Sequence, residues 1–196
     1  MKILVVADEE EKSLWDYWTK DKTKDVDFIL SAGDLKAEYL SFLVTMVNRP
    51  VFYVCGNHDG NYAVKPPEGC DCIDDKIITY NGIRILGLGG SMYYSGGPHQ
   101  YTEEKMKARI RKLFFKLKRS KGVDIILTHA PVSGYGDGED ITHRGFECFL
   151  SLIEQYRPKY LIHGHVHKSY GHSFQRSYDV GNTKIVNASG HYYIEI

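Results

Sequence analysis

The apolar residues of this chain fall into short, separated runs, and polar residues follow them at recurring points. Residues 2–6, 28–32 and 51–54 are runs rich in Ile, Val, Leu and Phe that fit strands buried on both faces. Between the second and third runs, Leu40, Leu43, Val44 and Val47 recur at helical spacing and predict a helix over 37–47. Residues 77–80 and 83–88 flank Asn81-Gly82, a two-residue hairpin signal. Residues 102–121 read as one long amphipathic helix. Thr102 is its N-cap, and Glu103 and Glu104 lie near the positive end of the dipole. Lys116, Lys118, Arg119 and Lys121 crowd the other end, and Gly122 is the stop. Further strands are predicted at 124–127, 160–162 and 192–196, and a helix over 145–156, before Pro158. Residues 177–180 and 184–188 surround a second hairpin signal, Gly181-Asn182. No linker or repeat divides the chain, which reads as one domain over 1–196.

Composition narrows this picture. With 42% hydrophobic and 26% charged residues, a chain of 196 residues can build a core without disulfide staples. The 25 basic and 25 acidic residues cancel, which argues against a broad surface for non-specific nucleic-acid or membrane binding. The cationic end of the 102–121 helix is accordingly read as a solvated face. No apolar stretch is long enough to span a bilayer. Residues 3–7 are too short a run for a signal peptide, and Asp8-Glu9-Glu10-Glu11 follows at once. Cys55, Cys70, Cys72 and Cys148 show no disulfide framework, so a reducing, cytoplasmic setting is expected. Cys70-x-Cys72 lies in a polar loop after Pro66-Pro67. A zinc site would want a second closely spaced pair beside it.

The candidate chemistry sits where the strands end. Asp8, Asp34, Asn57 and His129 each lie at or just past the end of an apolar run, and so does the pair His165 and His167. In an open α/β sheet these ends form the ligand-binding edge. Carboxylates, an amide oxygen and imidazoles are the donors that hold a pair of divalent metals, and such a pair points to hydrolysis of a phosphate ester.

In these segments the chain resembles the calcineurin-like metallophosphoesterase family, over nearly its whole length. Asp8-x-Glu10 stands at the family's first Asp-x-His motif, Gly33-Asp34 at the second and Gly56-Asn57-His58-Asp59 at the third. His129 stands at the fourth and Gly164-His165-Val166-His167 at the last. The resemblance implies a four-layer α/β/β/α sandwich, two mixed β-sheets flanked by helices, with two metals at the strand ends. It implies that Asp8, Asp34 and His167 hold one metal. Asp34, Asn57, His129 and His165 would hold the other, with Asp34 bridging and a hydroxide between the metals as nucleophile. His58 would protonate the leaving oxygen or stabilise its charge. Mn²⁺ is the expected cation, with Fe, Zn or Ni as alternatives.

Glu10 departs from the pattern. It either replaces the imidazole as a ligand, or points away and leaves the first site one ligand short, or marks a decayed site in a binding scaffold. As a ligand it would favour a hard cation such as Mn²⁺.

Loops beyond strand ends carry specificity. His143 and Arg144, in the loop 133–144, are candidates for substrate contact, since Arg can grip a phosphate. The Gly/Tyr-rich loop 91–101, with His99, reads as a packed surface loop, and Trp15 and Trp18 as core packing of a short helix. His163 reads as a hydrogen-bonded core residue, and His172 and His191 as structural. The expected activity is a phosphodiesterase on a small diester or nucleotide. The alternatives are a phosphomonoesterase, including a protein phosphatase, or a non-catalytic interaction module on the same fold. Leu35-Lys36 after Asp34, and Asp59 in place of Glu, depart from the protein-phosphatase branch. The sequence leaves the oligomeric state open.

Overall fold

The computed structural model describes residues 1–167 and 174–196. His172 lies outside the described residues. The chain opens with β1 (Lys2–Ala7), α1 (Lys20–Thr23), β2 (Phe28–Ser31), α2 (Ala37–Val47) and β3 (Val51–Tyr53). It continues through β4 (Asp71–Cys72), the hairpin β5 (Lys76–Tyr80) and β6 (Ile83–Leu88), and the short pair β7 (Ser91–Met92) and β8 (Gln100–Tyr101). Then come α3 (Glu103–Lys112), α4 (Phe114–Arg119), β9 (Ile125–Thr128), α5 (Glu147–Tyr156) and β10 (Tyr160–His163). The hairpin β11 (Ser177–Val180) and β12 (Thr183–Asn187) precedes β13 (Gly190–Glu195).

Two mixed sheets result. The first has the order β13-β1-β2-β3-β4, with β1 to β4 parallel and β13 antiparallel to β1. The second has the order β11-β12-β10-β9-β6-β5, parallel in its centre and closed at each edge by an antiparallel hairpin.

Strand periodicity explains the layers. Successive side chains point to opposite faces, so a strand covered on both sides must be apolar at every position. In β1, Ile3 and Val5 join the core between the sheets, and Leu4 and Val6 pack outward beneath α2. In β9, Ile125 and Leu127 face the other sheet, and Ile126 faces the helices α3 to α5. Helices thus cover the outer face of each sheet, and the architecture is the four-layer α/β/β/α sandwich expected. Trp15 stacks on Tyr39 and Phe42 of α2, at ring centroid distances of 5.0 and 5.6 Å.

The single helix expected over 102–121 is divided. The Thr102 hydroxyl accepts from the Lys105 N–H, as an N-cap should. At Leu113 the backbone N–H turns to the carbonyl of Ile110, three residues back, and tightens one turn. The apolar stripe of Met106, Leu113 and Leu117 stays buried through the junction, while Phe115 is left 81% exposed. No helix among the described residues is long and apolar enough to cross a membrane.

Candidate metal centre

The ends of β1, β2, β3, β9 and β10 meet at one edge, where the chain turns sharply out of each sheet. Asp8 (φ 63°), Asp34 (φ 56°) and His165 (φ 69°) all adopt the left-handed region there. Such a backbone costs about 1 kcal/mol or more in a residue with a Cβ, and is held by its surroundings. Two glycines make the approach close enough. A Cβ on Gly56 would meet Asp34 Oδ1 at 2.0 Å and His129 Cε1 at 2.7 Å. A Cβ on Gly164 would meet Asp8 Oδ2 at 2.9 Å.

Four donor atoms converge in this edge. His129 Nε2 lies 3.0 Å from Asn57 Oδ1, 3.1 Å from His165 Nδ1 and 3.3 Å from Asp34 Oδ2. The tautomers follow from the outer hydrogen bonds. His129 Nδ1–H donates to the Ala32 carbonyl at 2.7 Å, and His165 Nε2–H donates to the Thr142 carbonyl at 2.7 Å. A carbonyl can only accept, so each neutral ring carries its proton on the outer nitrogen. The two inner nitrogens therefore turn lone pairs at each other across 3.1 Å. That arrangement requires a positive charge between them, either a proton or a metal cation.

Electrostatics agree. Burial opposes a charged His129, but the Asp34 carboxylate beside it prevails and holds its pKa up at about 9. Burial likewise opposes a charged Asp34, yet His129 brings it down to about 2. His165 is pushed down to about 3, by burial first and then by the charge on His129. Asp8 is pushed up to about 6 by burial, against the pull of His129. Its Oδ1 accepts from the His165 N–H at 2.9 Å, but its buried Oδ2 has no hydrogen-bond partner among the described residues. An unpartnered buried carboxylate oxygen, near two imidazoles whose outer nitrogens are held by backbone carbonyls, suits a cation. The residues present thus fit a divalent metal pair.

Several bracing contacts have roles that the sequence does not assign. Asp59 Oδ2 accepts from the N–H groups of Asp34 (2.9 Å) and Gly56 (2.7 Å), tying the second motif to the third. Tyr94 OH accepts from Asn57 Nδ2 at 3.1 Å, which turns Asn57 Oδ1 toward His129. Tyr94 belongs to the loop read as a packed surface loop, with no role at the centre. Its backbone is held because Gln100 Oε1 accepts from the N–H groups of Tyr94, Ser95 and Gly96. Glu9 Oε1 lies 3.4 Å from His167 Nδ1. Two histidines outside the centre pair locally: His191 Nδ1 lies 3.2 Å from Glu11, and His163 Nδ1 lies 3.0 Å from the Gly164 carbonyl.

The other candidates divide. His58 stands over Asp34, its Nε2 4.0 Å from Asp34 Oδ2, with a side chain 75% exposed. Its backbone N–H donates to Asp34 Oδ1 at 2.8 Å. His143 lies 5.5 Å from the His165 ring, and Asp140 takes its Nδ1 at 2.9 Å. Arg144 is exposed and outside the lining of the cavity that His143 and His167 share. The Glu10 carboxylate pairs with Lys36 Nζ at 2.9 Å. Two cavities flank the centre. One of about 500 Å³ is lined by His143, His167 and Tyr178, and one of about 430 Å³ by Asp34, His58, Lys36 and Glu10.

Comparison with known proteins agrees with this geometry. The model of the family "Calcineurin-like phosphoesterase" matches residues 1–169. The chain belongs to this family. UPF0046 protein K07C11.7 of Caenorhabditis elegans is 25% identical over 84% of this chain and 63% of its own length. UPF0046 protein T07D4.2 of the same organism is 37% identical over 34% of this chain and 16% of its own length. The chain therefore spans less than two thirds of these relatives. Among solved structures, TT1561 of Thermus thermophilus superposes with a TM-score of 0.65 at 17% identity, over 96% of this chain and 89% of that one. A 5'-nucleotidase from Candida albicans superposes at 0.52 and 12% identity, over 95% of this chain and 44% of its own. These two likenesses are of fold. The family carries a binuclear divalent metal centre, and Asp34, His129 and His165 bring donor atoms within 4.8 Å of one another, a group that could hold a metal ion.

Proposed function

We propose that this protein hydrolyses phosphate esters at a pair of divalent metals, with a small phosphodiester, including a nucleotide, as the preferred substrate. One observation carries the reading: two imidazole lone pairs face each other at 3.1 Å, beside a carboxylate and an amide oxygen. Asp34, Asn57, His129 and His165 would hold one cation, and Asp8, Asp34 and His167 the other. Mn²⁺ suits this mixture of oxygen and imidazole donors. When bound, the cations supply Lewis-acid stabilisation of phosphoryl charge and lower the pKa of the attacking water.

The chain's own residues do the rest. Asp34 would bridge the two donor sets, and Asp59 braces it through its N–H. The exposed His58 ring stands over Asp34, where a bound phosphate would present its leaving oxygen. As the imidazolium it gives that oxygen a proton from Nε2. The diester preference is supported by two separate cavities, one lined by His143 and His167 and one by Asp34 and His58, since a diester carries two organic groups on phosphorus. The fold shared with a 5'-nucleotidase accords with phosphoester chemistry in general.

The test is a Mn²⁺-supplemented panel of bis-(p-nitrophenyl) phosphate, p-nitrophenyl phosphate, cyclic nucleotides and a phosphopeptide. Faster turnover of the diesters supports the reading. Preference for the phosphopeptide or the monoester contradicts the diester assignment, and inactivity toward all of them contradicts hydrolysis.

A further inference from the structure

A second cluster of metal-ligating side chains lies away from the binuclear centre. In the parallel pair β3–β4, Tyr53 stands opposite Cys72. Cys55 and Asp74 follow two residues further along each chain segment, so the register gathers Cys55, Cys72 and Asp74 at one sheet end. Among the described residues, one donor atom from each lies within 4.8 Å of the other two. The partner that Cys70-x-Cys72 lacks in sequence is thus Cys55, brought from another strand.

The site is built. Asp74 Oδ2 accepts from the Cys55 N–H at 3.0 Å, and Asp74 Oδ1 accepts from the Gly89 N–H. Arg109 Nη2 lies 3.4 Å from Asp74 Oδ1, and Arg109 Nη1 donates to the Gly89 carbonyl at 2.7 Å. The carboxylate is therefore fixed, yet each of its oxygens has two lone pairs, and Oδ2 uses one of them on Cys55. Cys55 is buried, while Cys72 is half-buried and offers a route from solvent.

Two sulfurs and a carboxylate oxygen are softer than the donors of the binuclear centre, and select zinc-type cations over Mn²⁺ or Mg²⁺. Tetrahedral bonds of about 2.3 Å to zinc place two sulfurs about 3.8 Å apart, within the separation observed. Two thiolates and one carboxylate carry three negative charges, of which a divalent ion offsets two, and Arg109, shared between Asp74 and Asp75, screens the remainder. A disulfide suits the register less well, because Cys55 and Cys72 are diagonal neighbours. Such pairs in a sheet stand about 7–8 Å apart at Cα, long for a disulfide.

We propose that Cys55, Cys72 and Asp74 form a separate site for one thiophilic divalent cation of the zinc type. Its fourth position is open to water or a small thiol. Cys55 leads directly into Gly56-Asn57, so occupancy braces the segment that presents Asn57.

Cd²⁺ is the probe, because its bond to thiolate absorbs in the ultraviolet. The reduced full chain, preloaded with Mn²⁺, is titrated with Cd²⁺. The expected result is a charge-transfer band that saturates at one Cd²⁺ per chain. The band persists in Asp34→Asn, Cys70→Ser and Cys148→Ser, and disappears in Cys55→Ser and in Cys72→Ser. The loss in affinity should exceed the roughly 10–100-fold that removal of an outer-sphere partner costs. Cys72 is half-buried, so Cys72→Ser is the variant that keeps the test open if Cys55→Ser fails to fold. In that case Cd²⁺ raises the thermal midpoint of the wild type and not of Cys72→Ser. Absence of the band in the wild type, its survival in Cys72→Ser, or its loss in Asp34→Asn overturns the proposal. The Asp34→Asn arm separates this site from the binuclear centre, so the two readings fail independently.

Discussion

His129 Nε2 lies 3.1 Å from His165 Nδ1, and neither nitrogen, in the neutral rings, has a proton to offer the other. Without metal the proton that resolves this repulsion belongs on His129, whose pKa is held up at about 9. A metal that binds here must displace it. Between pH 7 and pH 8, binding of Mn²⁺ should therefore release about one proton from His129. Calorimetric titration in buffers of different ionisation enthalpy measures this. Binding with no proton release would contradict the assigned protonation state.

The same shift sets a stability window. A histidine whose folded pKa is raised stabilises the fold fully below its unfolded value, near 6.5, and loses that contribution as pH rises through the folded value. Metal-free protein should thus lose thermal stability between about pH 6.5 and pH 9. Asp8 and Asp59, raised to about 6 mainly by burial, titrate mostly below that window, and the tail of their titration adds to the loss at its lower end. Metal-saturated protein should not show the loss, because the cation replaces the proton. Parallel melting curves across this range, with and without Mn²⁺, check it. Equal slopes would show that His129 is not protonated in the metal-free fold.

His58→Ala should leave two metals per chain and lower turnover by about 10²–10⁴-fold. The side chain is 75% exposed and its backbone N–H, not its ring, holds Asp34, so the metal donors are left in place. Elemental analysis beside steady-state kinetics separates the roles. Loss of metal with the ring would make His58 a ligand.

Tyr94→Phe removes the hydroxyl that orients the Asn57 amide. Freed of it, the amide can rotate its NH₂ toward His129. Metal affinity should fall by roughly 10–100-fold, as for other partners of ligands. Unchanged affinity would mean that the amide is held another way.

Glu10 is engaged by Lys36 in a pair whose lysine is 70% exposed. Such an exposed pair is screened by solvent and leaves the carboxylate turned to Lys36, so Glu10→Ala should leave metal affinity nearly unchanged. A larger loss at the first site would show that Glu10 exchanges Lys36 for a cation. Glu10→His should then restore occupancy and shift preference toward Zn²⁺ or Fe.

The strand ends were legible because strands buried on both faces read as unbroken apolar runs, so the first polar residue after each stands out. Asp8, Asp34, Asn57 and His129 all fall at such points. The glycines of the third and fifth motifs were marked by the family resemblance, and the structure adds why Gly56 admits no Cβ. Contacts that depend on loop paths were not legible. Tyr94 reaches Asn57 across 37 residues, and Thr142 reaches His165 across 23, with no periodicity to signal either. The helix over 102–121 carried the right stripe, but its tightened turn at Leu113 is a backbone choice that the stripe does not encode. Cys55 and Cys72 are joined only by strand register, which no spacing along the chain reveals.

The most direct measurement is hydrolysis of bis-(p-nitrophenyl) phosphate by chelator-stripped protein as Mn²⁺ is added back, with Asp34→Asn in parallel. The wild type should be inactive without metal, gain activity as two metals bind, and lose it again on chelation. Asp34→Asn should hold neither metal firmly and stay inactive. Turnover that is indifferent to metal, or a wild type that binds two metals and hydrolyses no phosphate ester, would contradict the proposed function.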